Sequence, residues 1–179
     1  MAEIKLKAGD RFPEIVVNKI GGGNLTLGTP TNGYDGQLVV VYRGKHCPLC
    51  TRYLDELNTA LSELNDIGID VVAVSADPVK KAEEQIGQIN PDYAVGYDLS
   101  IEQMRVLGLY ISNPRSNEET DRPFAEPGIF FVNKETRLQV VDISNAPFAR
   151  PELKTLIMGL AFICNPENNY PIRGTYEEN

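Results

Sequence analysis

Two stretches of the chain are almost continuously apolar, and they predict buried strands. Residues 38–42 read Leu-Val-Val-Val-Tyr, and residues 69–75 read Ile-Asp-Val-Val-Ala-Val-Ser. Between them, over about residues 48–66, apolar side chains recur at the spacing of one helical face, namely at Tyr53, Leu54, Leu57, Ala60, Leu61 and Leu64. A strand, a helix and a second strand that are all buried form a βαβ unit, so we expect the two strands to be parallel.

The rest of the pattern predicts further strands and helices around this unit. An N-terminal segment, residues 1–37, contains two short strand patterns, at 12–18 and 25–27. After the unit we expect, in this order, a helix over about 78–89, a strand at 93–97, a helix over about 100–108 with Ser100 as its N-cap, an antiparallel hairpin of strands 128–132 and 138–143, and a helix beginning at Pro151. Residues 167–179 form a polar tail, and we expect residues 1–179 to form one α/β domain.

One segment carries no periodicity at all. Residues 112–127 contain several prolines, asparagines and charged residues, which are typical of turns. Segments of this kind are most often solvated connections between other elements. We therefore expect a loop here, with a mobile loop beside a functional site as the alternative.

Charge and hydropathy exclude two classes of partner. The chain has 17 Lys and Arg against 25 Asp and Glu, a net charge of −8 at pH 7, whereas nucleic-acid binding needs a concentrated basic surface. No apolar run reaches the length of a membrane span, and the N-terminal residues lack the long apolar core of a signal peptide. We expect neither nucleic acid nor membrane as a partner, and a cytoplasmic location.

The candidate chemistry lies where the first buried strand meets the helix that follows it. Cys47 and Cys50 lie at this junction, and Pro48 suits the first helical turn. A cysteine at a helix N-terminus faces unpaired backbone N–H groups and the positive end of the helix dipole, and both favour the thiolate. Cys50 is three residues further along the same helical face, close enough for a disulfide with Cys47. The junction therefore predicts a reactive sulfur.

Charged side chains around the junction favour the same interpretation. Arg43, Lys45 and Arg52 place three positive charges within ten residues, and no acidic residue lies between Arg43 and Asp55. If these side chains face Cys47, they lower the pKa of its thiol. His46, the only histidine, either stabilises the thiolate or shuttles a proton, or is an exposed neighbour, and the sequence leaves these alternatives open.

A metal site is not expected. A tetrahedral zinc site needs four ligands, and Cys47, Cys50, His46 and Cys164 would have to converge without the usual second close-spaced pair. Cys164 follows an apolar stretch, which favours a packed core thiol. Its functional alternative is to resolve oxidised Cys47.

Residues 43–50, Arg-Gly-Lys-His-Cys-Pro-Leu-Cys, resemble the Arg-Gly-x-x-Cys-Pro-x-Cys variant of the peroxiredoxin-like proteins, the alkyl hydroperoxide reductases and thiol-specific antioxidant proteins. The resemblance implies a thioredoxin-like α/β fold, in which a central mixed sheet is flanked by helices, with an N-terminal extension and a C-terminal helix. It also implies that Cys47 is the peroxidatic cysteine and Cys50 its candidate resolving partner. Electrons would come from an external thiol, either thioredoxin-type or of low molecular weight, without a cofactor, and such chains often form homodimers.

Two residues depart from the family pattern. Gly44 stands three residues before the reactive cysteine, where peroxiredoxins usually carry Thr or Ser, and Pro127 stands where they usually carry an Arg. Pro127 instead resembles the cis-proline that faces the CxxC motif of thioredoxins. Arg122 and Arg150 are candidates to replace the missing arginine, although exposed surface arginines are the more common case.

Three functional hypotheses follow. The first is a thiol peroxidase with an antioxidant role, which reduces hydrogen peroxide or an alkyl hydroperoxide through Cys47. The second is a thioredoxin-like protein-disulfide oxidoreductase, which the residues at positions 44 and 127 favour. The third is a non-catalytic binding module that keeps the fold. This hypothesis predicts an ordinary pKa of about 8.5 for Cys47.

Overall fold

The two apolar runs form neighbouring central strands in the computed structural model, which describes residues 6–31 and 33–178. Strand β3 (Gly36–Val41) pairs in parallel with β4 (Ile69–Val74), with Val39 opposite Val72. Every residue of β3 is buried, because helices or other strands cover both faces of the sheet here. The predicted parallel pair is confirmed.

The remaining elements follow the predicted order. The other strands are β1 (Ile15–Lys19), β2 (Asn24–Leu27), β5 (Ala94–Tyr97), β6 (Ile111–Ser112), β7 (Phe124–Ala125), β8 (Gly128–Val132) and β9 (Leu138–Ile143). The helices are α1 (Pro48–Thr59), α2 (Leu61–Asp66), α3 (Val79–Ile86), α4 (Ile101–Val106) and α5 (Leu153–Cys164), followed by a 3-10 turn at Pro166–Asn168. Seven strands form one mixed sheet in the order β2-β1-β5-β4-β3-β8-β9, and β6 and β7 form a separate ribbon.

Alternate residues of the central strands face two different cores. On one face, Leu38, Val40 and Tyr42 pack with residues of α1 and α5. On the other face, Val39 and Val41 pack with residues of β1, β2 and the α4 region. This alternation is the period of two that a pleated strand imposes. The result is the thioredoxin-like arrangement that the sequence predicts, a mixed sheet flanked by helices.

Two local expectations differ from the structure. The helix expected over 48–66 is interrupted at Ala60 into α1 and α2, although the i to i−4 hydrogen bonds Ala60 N to Glu56 O and Leu64 N to Ala60 O are both made. The segment 112–127 is not a wholly solvated connection, because Phe124, Ala125 and Glu126 are buried at its end. The apolar pair Phe124–Ala125 pairs with β6 and packs into the core, and this tertiary burial overrides the turn chemistry of the flanking residues.

The ends of the chain complete the description. Residues 1–5, part of the stretch expected to lack a signal peptide, lie outside the described residues, as do residues 32 and 179. Across the part of the chain that the structure describes, no helix is long and apolar enough to cross a membrane.

Candidate active site

Cys47 is the N-cap residue of α1. Its backbone is extended, with φ −108°, and Pro48 takes the first position of the helix, as the sequence predicts. The Cys47 sulfur accepts a hydrogen bond from the backbone N–H of Cys50 at 3.3 Å. The sulfur therefore occupies the place where an N-cap oxygen usually binds the free N–H groups of the first turn.

The two thiols of the motif have opposite ionisation tendencies. The pKa of Cys47 is lowered to about 6, chiefly by hydrogen bonding from the Cys50 thiol and then from the Cys50 backbone, with Arg43 adding to the effect while burial opposes it. The pKa of Cys50 is strongly raised, because this thiol donates to Cys47 and is buried. At neutral pH the pair therefore consists of a Cys47 thiolate and a Cys50 thiol.

Arg43 is the positive charge that acts on Cys47. Its Nε lies 3.1 Å from Oε2 of Glu126, and its Nη2 lies 3.9 Å from Oε1 of Glu119. Its guanidinium also lies over the Phe124 ring, 4.8 Å from the ring centre. The segment 112–127 thus fixes the arginine beside the thiolate, although both acidic partners offset part of its charge.

Lys45 and Arg52 do not add to the positive field at Cys47 as the sequence suggests. Lys45 forms an ion pair with Glu84 of α3, and Arg52 pairs with Glu56 one turn further along α1 at 2.9 Å. All four side chains are exposed, so their pairs lie in solvent. Neither acidic partner lies between Arg43 and Asp55: Glu56 follows directly after Asp55, and Glu84 is 39 positions from Lys45.

His46 is a packed aromatic residue. Its ring lies against Phe124 with the ring centres 4.5 Å apart, and among the described residues neither ring nitrogen has a hydrogen-bond partner. Burial, with a contribution from Arg43, lowers the pKa of His46, so the ring is neutral at neutral pH. A neutral ring supplies no positive charge to a thiolate.

Gly44 occupies a position that only glycine fits without strain. Its φ is +133°, and an added Cβ would lie 2.6 Å from Oδ2 of Asp77. Asp77 is buried, which raises its pKa, and its Oδ2 accepts a hydrogen bond from the Lys45 backbone N–H at 2.7 Å. The Asp77 carboxylate thus fills the space that a Thr or Ser side chain at position 44 would need.

Replacement of Gly44 by alanine should lower the free energy of unfolding by about 1–3 kcal/mol, from backbone strain and the contact with Asp77. Urea denaturation of both proteins measures this loss. Gly22→Ala is the matched control, because Gly22 has a φ of +105° and no atom within 4 Å of an added Cβ. Equal losses in the two variants would show that the Asp77 contact has no energetic role.

Pro127 is buried directly before β8, beside the end of β3, where Val41 pairs with Gly128. Its carbonyl accepts a hydrogen bond from Ser144 N at 3.0 Å. The resemblance to a cis-proline does not extend to its geometry, because all peptide bonds within the described ranges are trans. The expectation of a cis-proline at position 127 is therefore wrong.

Of the two candidate arginines, one lies against the motif. Arg122 pairs with Asp98 at 3.3 Å and with Asp121 at 3.5 Å, and it is partly exposed. Arg150 is 8% exposed, and its Nη1 lies 3.5 Å from the Cys50 sulfur. The expectation of an exposed surface arginine is wrong for Arg150, which the fold buries against α1.

Cys164 lies at the opposite end of the sheet from the motif. It ends α5 and lines a pocket with Asp35 and Gly36, at the start of β3, whereas Cys47 follows the end of β3. A six-residue strand spans about 20 Å. Cys164 is half-buried, and burial raises its pKa.

A metal ion finds no cluster of ligands in the described chain. No group of three or more His, Cys, Asp or Glu side chains within residues 6–31 and 33–178 is placed to hold one. The site consists of two thiols, one arginine on each side of them, and packed aromatic rings.

The comparison with known proteins places this geometry in a family. A model of the AhpC/TSA family matches residues 8–141 of the chain. The chain belongs to the AhpC/TSA family. The region matched includes the whole junction from β3 to α1 and the segment 112–127 that covers Arg43.

Solved structures share the fold of this AhpC/TSA chain. The peroxiredoxin-like protein from Aquifex aeolicus is 20% identical, with a TM-score of 0.72 over 87% of this chain and 86% of that one. Peroxidoxin BcpB from Mycobacterium tuberculosis is 17% identical, with a TM-score of 0.70 over 88% of this chain and 97% of that one. A putative thiol:disulfide interchange protein DsbE from Chlorobium tepidum is 16% identical, with a TM-score of 0.65 over 88% of this chain and 99% of that one. No curated protein matches the sequence of the chain.

Several residues of the AhpC/TSA site could not be found from the motif alone. Glu126, Phe124 and Asp77 reach Arg43, His46 and Gly44 through the fold. For the first two a weak signal existed in the apolar pair Phe-Ala, which stands between prolines in an otherwise polar segment. Asp77 comes three residues after the end of β4 and gave no such signal.

Proposed function

We propose that this AhpC/TSA protein is a thiol peroxidase that reduces hydrogen peroxide or an alkyl hydroperoxide through Cys47. The observation that carries the proposal is the Cys47 sulfur at the α1 N-terminus, which accepts the Cys50 N–H and has a pKa of about 6. A thiol with this pKa is about nine-tenths ionised at pH 7, and the thiolate is the form that attacks peroxides.

The chemistry needs two sulfurs. The Cys47 thiolate attacks one peroxide oxygen, an S–O bond forms, the O–O bond breaks, and water or an alcohol leaves after protonation. Cys47 is then a sulfenic acid, and Cys50 in the same helical turn displaces its oxygen as water to give a disulfide. An external thiol donor, thioredoxin-type or of low molecular weight, returns both sulfurs to the reduced form without a cofactor.

Treatment of the fully reduced protein with one equivalent of hydrogen peroxide tests the proposal. We expect thiol loss much faster than for free cysteine, a product with one intramolecular disulfide, and peptide mapping that assigns it to Cys47 and Cys50. Cys164 should remain a thiol, because it lies at the other end of β3. Thiol loss no faster than for free cysteine would refute peroxidase activity, and a disulfide to Cys164 would refute the role of Cys50.

A second candidate is reduction of protein disulfides. It is favoured by the likeness of the fold to the putative thiol:disulfide interchange protein from Chlorobium tepidum, and by an ionised first cysteine beside a buried second one. In this case Cys50→Ser should trap a mixed disulfide between Cys47 and a protein substrate such as insulin. If wild-type protein reduces insulin faster than it consumes peroxide, this second function replaces the first.

The third hypothesis, a non-catalytic binding module, predicts an ordinary pKa for Cys47. The lowered pKa of this thiol does not favour it. A binding module has no need of a thiolate held between a helix N-terminus and the half-buried Arg43.

A further inference from the structure

Arg150 is held rigidly beside the second cysteine. Its Nη1 lies 3.5 Å from the Cys50 sulfur, and its guanidinium lies 4.3 Å above the centre of the Tyr53 ring. The Tyr53 hydroxyl in turn donates a hydrogen bond to the carbonyl of Pro151 at 3.0 Å. The tyrosine therefore fixes both the arginine side chain and the backbone that follows it.

The charge of Arg150 forms no ion pair with a carboxylate in the part of the chain that the structure describes. Buried charges in proteins are normally paired, because an unpaired one loses its hydration without compensation. Arg43, on the other side of the motif, follows this rule through Glu126. Within the described ranges, however, no Asp or Glu forms an ion pair with Arg150, and the polar atom that its guanidinium contacts is the Cys50 sulfur.

We propose that Arg150 is a catalytic residue of the resolving step, where it holds Cys50 as a thiolate while that sulfur attacks oxidised Cys47. The inference rests on the proposed peroxidase function and assigns one step of it. Cys50 first loses its proton to solvent. Its sulfur then forms the S–S bond as the S–O bond of the Cys47 sulfenic acid breaks, and the departing hydroxide is protonated to water. Cys50 is oxidised and the Cys47 sulfur is reduced, so no further reactant is needed.

The surroundings of Cys50 explain why Arg150 matters once Cys47 has been oxidised. The titratable and charged groups that face Cys50 are Cys47 on its own helix, Tyr42 at the end of β3, and Arg150 from the segment before α5. In the reduced protein the Cys47 thiolate keeps the proton on Cys50. After Cys47 is oxidised that negative charge is gone, and Tyr42 is neutral because burial raises its pKa. Arg150 is then the charged side chain that favours a Cys50 thiolate, beside a hydrogen bond from the Arg43 backbone.

The test separates the two steps of one turnover. Reduced protein is mixed with hydrogen peroxide, the reaction is stopped at intervals, and mass spectrometry follows the loss of the Cys47 thiol and the closure of the disulfide separately, from pH 5 to 9. The proteins compared are wild type, Arg150→Gln, Arg150→Lys and Arg52→Gln. Arg52 is the matched control, because it lies on the same helix but pairs with Glu56 in solvent.

In Arg150→Gln we expect the first step within about twofold of wild type, and closure at pH 7 slowed about tenfold or more. An opposite charge at this distance lowers a pKa by at least about one unit, and one unit is a tenfold change in thiolate fraction. The pH midpoint of closure should rise by about the same unit. Arg150→Lys should recover part of the rate, and Arg52→Gln should match wild type in both steps.

Each other outcome has a definite meaning. Closure in Arg150→Gln at the wild-type rate and with the wild-type pH midpoint overturns the role of Arg150 and leaves the peroxidase function standing. Equal slowing of both steps in Arg150→Gln and Arg150→Lys shows a merely structural role and also overturns it. Wild-type protein whose Cys47 does not react with peroxide at all overturns the proposed function and this inference together.

Discussion

Replacement of Cys47 by serine should lower the rate constant for peroxide reduction by at least about a thousandfold. Loss of the attacking nucleophile is among the largest single effects known in enzymes that act through a side-chain nucleophile. A serine hydroxyl at the same N-cap position would keep the hydrogen bond from Cys50 N, so the helix should retain its start. What disappears is a sulfur that is ionised at neutral pH.

The rate of hydrogen peroxide consumption, with the protein in excess and reduced beforehand, measures this loss. Cys164→Ser is the matched control, because it also removes one thiol but at the far end of β3, beside Asp35 and Gly36. We expect Cys164→Ser to react at the wild-type rate. If Cys47→Ser kept more than about one hundredth of the activity, the reactive sulfur would have to be another one.

Replacement of Cys50 by alanine should move the pKa of Cys47 from about 6 towards the ordinary value for a thiol, near 8.5. The Cys50 side chain is the largest cause of the lowered pKa, and alanine cannot donate a hydrogen bond. A lower pKa means more thiolate above it, so at pH 7 wild-type Cys47 is mostly ionised. In Cys50→Ala the thiolate fraction, and with it the alkylation rate at pH 7, should fall about tenfold or more.

The pH dependence of alkylation of Cys47 by iodoacetamide, followed by peptide mass, gives both midpoints. Cys50→Ser is the informative companion, because a serine hydroxyl can still donate to the Cys47 sulfur, and its midpoint should stay nearer to that of wild type. Arg43→Gln should raise the midpoint by less than Cys50→Ala, since Arg43 ranks behind both hydrogen bonds from Cys50. Identical midpoints in wild type and Cys50→Ala would mean that the helix N-terminus and Arg43 alone ionise Cys47.

Short-range patterns in the sequence determined the helices and strands and the position of the reactive cysteine. The β-branched runs predicted β3 and β4, and the helical spacing after Pro48 predicted α1, because burial and backbone geometry impose periods that neighbouring residues must follow. Ser100 was predicted as a cap and does form a capping box with Gln103. The position of Cys47 at the start of α1 follows from the same local rules, since the free N–H groups belong to the helix itself.

The tertiary structure alone decided which charges act on the two sulfurs. Arg43, Lys45 and Arg52 look alike in sequence, yet the fold leaves Arg43 beside Cys47 and pairs Lys45 with Glu84, 39 positions away. Arg150 lies 100 positions from Cys50, and the sequence around either residue does not predict their contact. Such pairs depend on how strands and helices are stacked, and the residues next to a charge along the chain do not show which distant residue the fold places beside it. For Lys45 the pairing is also weakly constrained, because a charge in solvent costs little to leave unpaired. The motif could therefore be found by reading along the chain, whereas the partners that tune it became visible only when the chain was folded.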